Sequence, residues 1–175
     1  NCVISGGTSS GKTSLLNFLC QYFLPNERIL TVEDTVELSP PVKNLVQLQA
    51  RKPNADGQGA ISLRSLIQCS LRMRPDRIIV GECRGDEVLE MLQALNTGHP
   101  GSLTTIHANS TQEALQRLEL LCLLSSNNVS VEAIRTWIRS SIDVVVQVER
   151  DENGHRHVSE IIQKREGAYD VVYKR

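Results

Sequence analysis

The run Gly6-Gly7-Thr8-Ser9-Ser10-Gly11-Lys12-Thr13 narrows the architecture more than any other part of this sequence. It satisfies G-x-x-x-x-G-K-[ST] at every required position. Its flanks also suit it. Residues 2–5 read as a short buried strand. Residues 12–23 read as a helix with Leu15, Leu16, Leu19 and Phe23 on one face, stopped by Pro25. Strand, glycine loop and helix in that order form a phosphate cradle. The glycines let the backbone close around an anion, and successive N–H groups at the helix N-terminus point at a β-phosphate. Lys12 can reach β- and γ-phosphate oxygens, and the Thr13 hydroxyl can ligate Mg2+. The motif implies a nucleoside triphosphate and says nothing about what its energy drives.

The rest of the chain alternates apolar runs with helical periodicity, which predicts α/β architecture with a mostly parallel sheet. Strands are expected at 29–33, 78–80 and 102–107, and a weakly alternating edge strand at 42–50. Helices are expected at 61–73, 86–95, 111–124 and 131–140. Residues 54–59 read as a turn-rich mobile surface loop. Residues 142–149 and 155–162 read as strands joined by Asn153-Gly154, a hairpin turn, and 169–173 adds a last strand.

Phosphoryl transfer needs a carboxylate at the C-terminal end of a neighbouring strand. Two strands supply one: Ile78-Ile79-Val80-Gly81 ends in Glu82, and Ile29 to Val32 ends in Glu33 and Asp34. Open α/β sheets bind ligands at such carboxyl ends. His107 ends a third apolar strand, where a histidine taken singly is more often structural than catalytic. His155 and His157 lie two apart with no third ligand nearby and read as a solvated face, not a metal site.

Length and charge bound the alternatives. A chain of 175 residues, 40% hydrophobic, has enough core for one domain and is too apolar for a disordered tail. A net charge of −1 and six aromatic residues weigh against nucleic acid as the main partner. That average conceals residues 51–84, where seven basic residues face three acids. Arginine dominates this window, so it either meets nucleotide phosphates, its own or a neighbour's, or forms surface ion pairs. No apolar run approaches the ~20 residues that span a bilayer. The longest, 118–124, is broken by Glu119 and reads as a buried helix. The five cysteines are scattered, four of them among apolar residues with Cys83 the exception, which suits free thiols in a reducing cytosol. The chain lacks an initial Met and enters a strand at once, so a piece of a longer protein is expected.

Four blocks in order resemble those of the secretion ATPases of the type II/type IV secretion and type IV pilus superfamily. The phosphate loop is the family's Walker A. Thr31-Val32-Glu33-Asp34 resembles its aspartate box, and residues 71–85 around Ile78-Ile79-Val80-Gly81-Glu82-Cys83-Arg84-Gly85 resemble its atypical Walker B. Residues 101–110 around Ile106-His107-Ala108-Asn109 resemble its histidine box, and Leu95-Asn96-Thr97-Gly98-His99 also matches. Details are most similar to the tight-adherence (Flp-type) pilus assembly branch, then to conjugative-transfer ATPases. The resemblance covers nearly the whole chain.

It implies that residues 1–175 are a single RecA-like C-terminal ATPase domain of a hexameric, Mg2+-dependent enzyme whose N-terminal domain is absent. Nucleotide binding would fall to Gly6, Gly7, Thr8, Ser9, Ser10, Gly11, Lys12, Thr13 and Ser14. The resemblance makes Glu33 the residue that polarises the attacking water, although the residues themselves leave open which of Glu33 and Glu82 is the base. It makes Glu82 the Walker B acid that, with Thr13, holds Mg2+ directly or through water, and His107 the sensor of nucleotide state. Arg84 would join the site or a subunit contact, and further phosphate-binding arginines come from the missing domain. Its implied partners are a homohexamer and an inner-membrane platform protein, met at the cytoplasmic face of that membrane. The short C-terminus departs from members carrying a tetracysteine zinc motif. Two other classes compete: a DNA-translocating or conjugative RecA-like motor, and a nucleotide-binding assembly module without turnover.

Overall fold

The chain runs β1 (Cys2–Gly6), α1 (Lys12–Cys20), β2 (Arg28–Glu33), β3 (Asn44–Gln49), α2 (Leu63–Ser70), β4 (Arg77–Cys83), α3 (Val88–Asn96), β5 (Leu103–Ile106), α4 (Thr111–Ser125), α5 (Val131–Ser141), β6 (Val144–Arg150), β7 (Arg156–Arg165) and β8 (Ala168–Lys174). This is a computed structural model, and it describes residues 1–126 and 128–175. All eight strands form one sheet in the order β3-β2-β4-β5-β1-β6-β7-β8. The first six in that order run parallel, and β7 and β8 return antiparallel as hairpin strands. The expected α/β class, parallel core and C-terminal hairpin are all present, with β3 at the edge.

Parallel strands are buried on both faces, and these strands read as apolar runs for that reason. On one face Ile4, Ile29, Ile79 and Val146 pack against Leu16 and Cys20 of α1, with Leu15, Leu19 and Phe23 partly buried beside them. On the other, Val3, Ile78, Val80, Ile106 and Val145 meet α2 to α5 through Ile67, Met91, Leu92, Leu118, Ile134 and Ile138. The stripe of α1 is therefore as expected, but the helix ends at Cys20. Residues 22 and 23 close it with tighter turns, Tyr22 N donating to Leu19 O (3.1 Å) and Phe23 N to Cys20 O (3.3 Å). The helix expected over 61–73 is shorter too, because Ser62 caps it by accepting from Ser65 N. The 118–124 run is only half buried: Leu118, Leu121 and Cys122 face the core, while Leu120 and Leu124 are exposed. No helix among the described residues is long and apolar enough to cross a membrane.

One side-chain expectation is corrected. Cys83 is buried (1% exposed) at the end of β4, and Cys69 on α2 is the exposed cysteine. Burial pushes the Cys2 thiol up to about 12 and the Cys20 and Cys122 thiols up to about 11, so these sulfurs stay protonated and inert. The arginine window divides. Arg64 pairs with Glu90 (2.9 Å) and Asp86 (3.3 Å). Arg77 pairs with Glu27 (2.8 Å) and lies 4.8 Å from the Phe23 ring centre. These two hold the fold together, and Arg84 goes elsewhere.

The order of strands places the site. β2, β4, β5 and β1 are parallel neighbours, so the segments after their C-terminal ends emerge along one edge of the sheet. The residues there are Glu33, Glu82, His107 and the loop after Gly6.

Candidate functional site

The loop after β1 closes tightly. Lys12 Nζ donates to the carbonyl oxygens of Gly6 (2.8 Å) and Gly7 (2.9 Å), folding its side chain back over the loop. Gly11, the N-cap of α1, sits at φ +100°, which a side chain would strain. Ser9 adopts φ +59° without that freedom. Burial pushes the Lys12 ammonium below its ordinary value; Glu82 pulls it back up and Arg84 opposes that. A desolvated, cation-pressed ammonium at a helix N-terminus is poised for an anion.

Glu33 ends β2 almost wholly buried, at 3% exposure. Leu38 is drawn into the core beside α1, and this folds the segment after β2 back on itself. The backbone N–H groups of Glu37 (3.0 Å) and Leu38 (3.1 Å) consequently donate to Glu33 Oε1. Its Oε2 is buried with no partner. A buried carboxylate oxygen left bare is costly, and Glu33 lines a pocket together with Thr13 and Glu82. Gly81 of β4 permits this placement, since a Cβ there would stand 3.0 Å from Glu33 Cγ.

Glu82 owes its position to an irregularity. The pairing of β4 with β5 shifts between Val80 and Cys83, and Thr105 Oγ1 donates to Gly81 O (2.7 Å) across the break. A bulge of this kind re-aims the side chains within it. Arg84 Nη2 donates to Glu82 Oε2, and Arg84 also faces Asp34 at 4.0 Å. The bond to Glu82 raises the Arg84 pKa further.

His107 follows β5 in a tethered turn. Gln147 of β6, 2% exposed, donates from Nε2 to Ala108 O (3.4 Å), and Asn109 N donates to Glu113 Oε2 (3.0 Å). Ser110 then caps α4 by accepting from Glu113 N (3.1 Å).

Two adjoining pockets hold these residues together. One is lined by Thr13, Glu33, Asp34, Gly81, Glu82 and Arg84. The other contains the loop from Thr8 to Ser14 with Glu82, Arg84 and His107. Every residue expected to bind nucleotide, hold Mg2+ or act in catalysis, apart from Gly6 and Gly7, therefore lines one of two neighbouring spaces. Gly6 and Gly7 are the carbonyl partners of Lys12.

Sequence reasoning missed Arg156 and misjudged His157. Arg156 begins β7, lines the loop pocket, and donates from Nε to Ser9 O (3.2 Å). His157 is half-buried, not solvated, and its Nδ1 is buried without a partner. The reason is topological. β6 lies beside β1, and β7 beside β6, which brings residue 156 across 147 positions to the loop. No local pattern carries that information.

The donor set can be tested against Mg2+. The Thr13 hydroxyl and the Glu82 carboxylate are oxygen ligands of the kind a hard cation takes, and the Glu33 carboxylate lines the same pocket. Among the described residues no group of three or more His, Cys, Asp or Glu side chains could hold a metal by itself. Few protein ligands beside a phosphate cradle fit an ion carried largely by substrate phosphates.

The family described as "Type II/IV secretion system protein" matches residues 1–169. A putative conjugal transfer protein of Mycobacterium tuberculosis (strain H37Rv) is 42% identical over 172 residues, covering 97% of this chain and 48% of the relative. The type IV secretion system protein PtlH of Bordetella pertussis is 42% identical over 151 residues, covering 85% of this chain and 44% of its own. The crystal structure of the VirB11 ATPase from the Brucella suis type IV secretion system, in complex with sulphate, superposes with a TM-score of 0.83 at 33% identity, over 93% of this chain and 47% of that one. The chain spans about half the length of each of these relatives.

Proposed function

We propose, since the chain belongs to the type II/IV secretion system protein family, that it is the ATP-hydrolysing domain of a secretion or pilus-assembly motor. The observation that carries this reading is the convergence of Lys12, Thr13, Glu33 and Glu82 on two adjoining pockets at one sheet edge. The likeness to a protein named as an ATPase, the Brucella VirB11, supports it.

The chemistry follows from the residues. The loop N–H groups and Lys12 hold the β- and γ-phosphates against the N-terminus of α1. Thr13 and Glu82 would hold the Mg2+ that enters with ATP, and that ion supplies charge neutralisation between the phosphates. Glu33, fixed through Oε1 by two backbone N–H groups, presents Oε2 to the water that attacks the γ-phosphorus. Arg84 releases Glu82 when the polyphosphate takes over as its partner. His107 stands at the same pocket and reads whether the γ-phosphate is present. Positioning and electrostatics supply most of the acceleration, as phosphoryl transfer generally requires.

The motor reading extends to parts outside this chain. Subunits form a homohexamer at the cytoplasmic face of the inner membrane, and a platform protein there receives the movement. The tight-adherence branch is a finer form of the same reading. Relatives named as type IV secretion proteins support a place in a multi-protein machine. The 42% identity to a putative conjugal transfer protein favours a second reading, in which the cargo is DNA.

Phosphate release from ATP by the full-length protein tests both. Turnover that requires Mg2+ and disappears in EDTA is expected, and no turnover in any assembly state rejects the motor. Stimulation by single-stranded DNA that falls steeply with salt selects the second reading.

A further inference from the structure

The C-terminal strands reach the segment that carries His107. Ser5, Gln147, Glu160 and Lys174 stand opposite one another on β1, β6, β7 and β8, so their side chains share one face of the sheet. Val3, Val145 and Ile162 lie two residues from the first three and pack on the helices of that face, among them α4 through Ala114 and Leu118. Gln147 and Glu160 turn polar ends to the chain between β5 and α4. Gln147 holds Ala108 O (3.4 Å), and Glu160 Oε2 accepts from the hydroxyl of Thr111, the first residue of α4. Lys174 holds the other oxygen, Oε1, at 3.2 Å. The Thr111 hydroxyl pulls the Glu160 carboxyl below its ordinary pKa; burial opposes this and Lys174 adds to it. Glu160 is therefore an ionised acceptor at neutral pH, with Thr111 as its donor.

Thr111 and His107 move together. Three residues separate them. Asn109 N on Glu113 Oε2 (3.0 Å) and Glu113 N on Ser110 Oγ (3.1 Å) tie that turn to the start of α4. Apolar packing of α4 on the sheet sets a separation and leaves the helix some freedom to turn about its axis. A hydrogen bond from a buried hydroxyl to a carboxylate held on its far side also sets direction. We propose that Glu160 is a positioning residue: through Thr111 it fixes the start of α4, and so holds His107 at the loop pocket. The proposal rests on the reading of His107 as the sensor of nucleotide state. It gives the C-terminal hairpin a part in telling ATP from ADP.

The test reads a ratio of two affinities on the full-length protein by titration calorimetry. The probes are the β,γ-imido analogue of ATP and ADP itself, both with Mg2+. His107→Ala sets the scale and should cut the preference for the triphosphate about tenfold, the loss of one hydrogen bond to a charged group. Thr111→Val keeps the shape and removes the donor. It should cut the preference about fivefold and leave the affinity for MgADP within about twofold. Thr111→Ser should restore the wild-type ratio, and Glu160→Leu should match Thr111→Val. Combining His107→Ala with Thr111→Val should lose no more than His107→Ala alone, since the hydroxyl acts through the histidine. A wild-type ratio in both Thr111→Val and Glu160→Leu, or losses that multiply in the double variant, overturns the positioning role and leaves the sensor standing. An unchanged ratio in His107→Ala overturns the sensor reading and the proposal with it.

Discussion

Glu33→Gln binds ATP within about twofold of wild type and turns it over at least about a hundredfold more slowly, the loss typical when a positioned base is removed. The geometry separates the two effects. The amide oxygen of the glutamine can keep accepting from the N–H groups of Glu37 and Leu38, so the segment after β2 stays folded. What changes is the other terminal atom. Oε2, buried and without a partner, becomes an NH2 group that cannot accept a proton from water. Glu82→Gln should behave differently, because Glu82 faces Arg84 and the Thr13 side of the pocket. Its expected defect is a raised Mg2+ requirement. Rapid-quench measurement of bound and hydrolysed ATP distinguishes the two. Should Glu82→Gln alone bind ATP and stay silent, the roles of the two acids are reversed.

Lys12→Ala is expected to lower ATP affinity and turnover by about a hundredfold or more each, the scale of removing one charged donor from a preorganised anion site. The folded chain loses little by it. Lys12 Nζ bonds only the carbonyls of Gly6 and Gly7, on a half-buried side chain at the mouth of the loop. Thermal melting within a few degrees of wild type, alongside lost equilibrium binding of ATP, is the expected pair of results. Near-normal turnover would remove the loop from the reaction.

Much of this arrangement was legible in the sequence because its signals are local. The loop glycines, Lys12 and Thr13 sit in one octet between an apolar strand and an amphipathic helix. Glu33 and Glu82 were marked by ending apolar runs, and a parallel sheet brings such ends to one edge. The edge position of β3 followed from its weak alternation. What local pattern could not carry was register. The shift in β4–β5 pairing that aims Glu82 leaves no trace in Ile78-Ile79-Val80-Gly81-Glu82-Cys83, and it also turns Cys83 into the core. Arg156 and His157 were invisible for a related reason. His155 lies just outside β7 and stays exposed while His157 is half-buried within it, and only the placement of β6 beside β1 decides that the start of β7 meets the phosphate loop. The arginine window was left between two readings because charge counts do not see partners. Arg64 and Arg77 are spent on Glu90 and Glu27, and Arg84 alone of the three lines the pocket.

A crystal structure of the full-length Glu33→Gln protein with ATP and Mg2+ tests the central claim most directly, because the variant should trap the unreacted complex. The expected density places the β-phosphate against the N–H groups of Gly11, Lys12 and Thr13, the ion on the Thr13 hydroxyl toward Glu82, and the γ-phosphate facing position 33 across one water. A nucleotide bound away from the Gly6–Thr13 loop, or a γ-phosphate whose attacking water is held by Glu82 with position 33 remote, would contradict it.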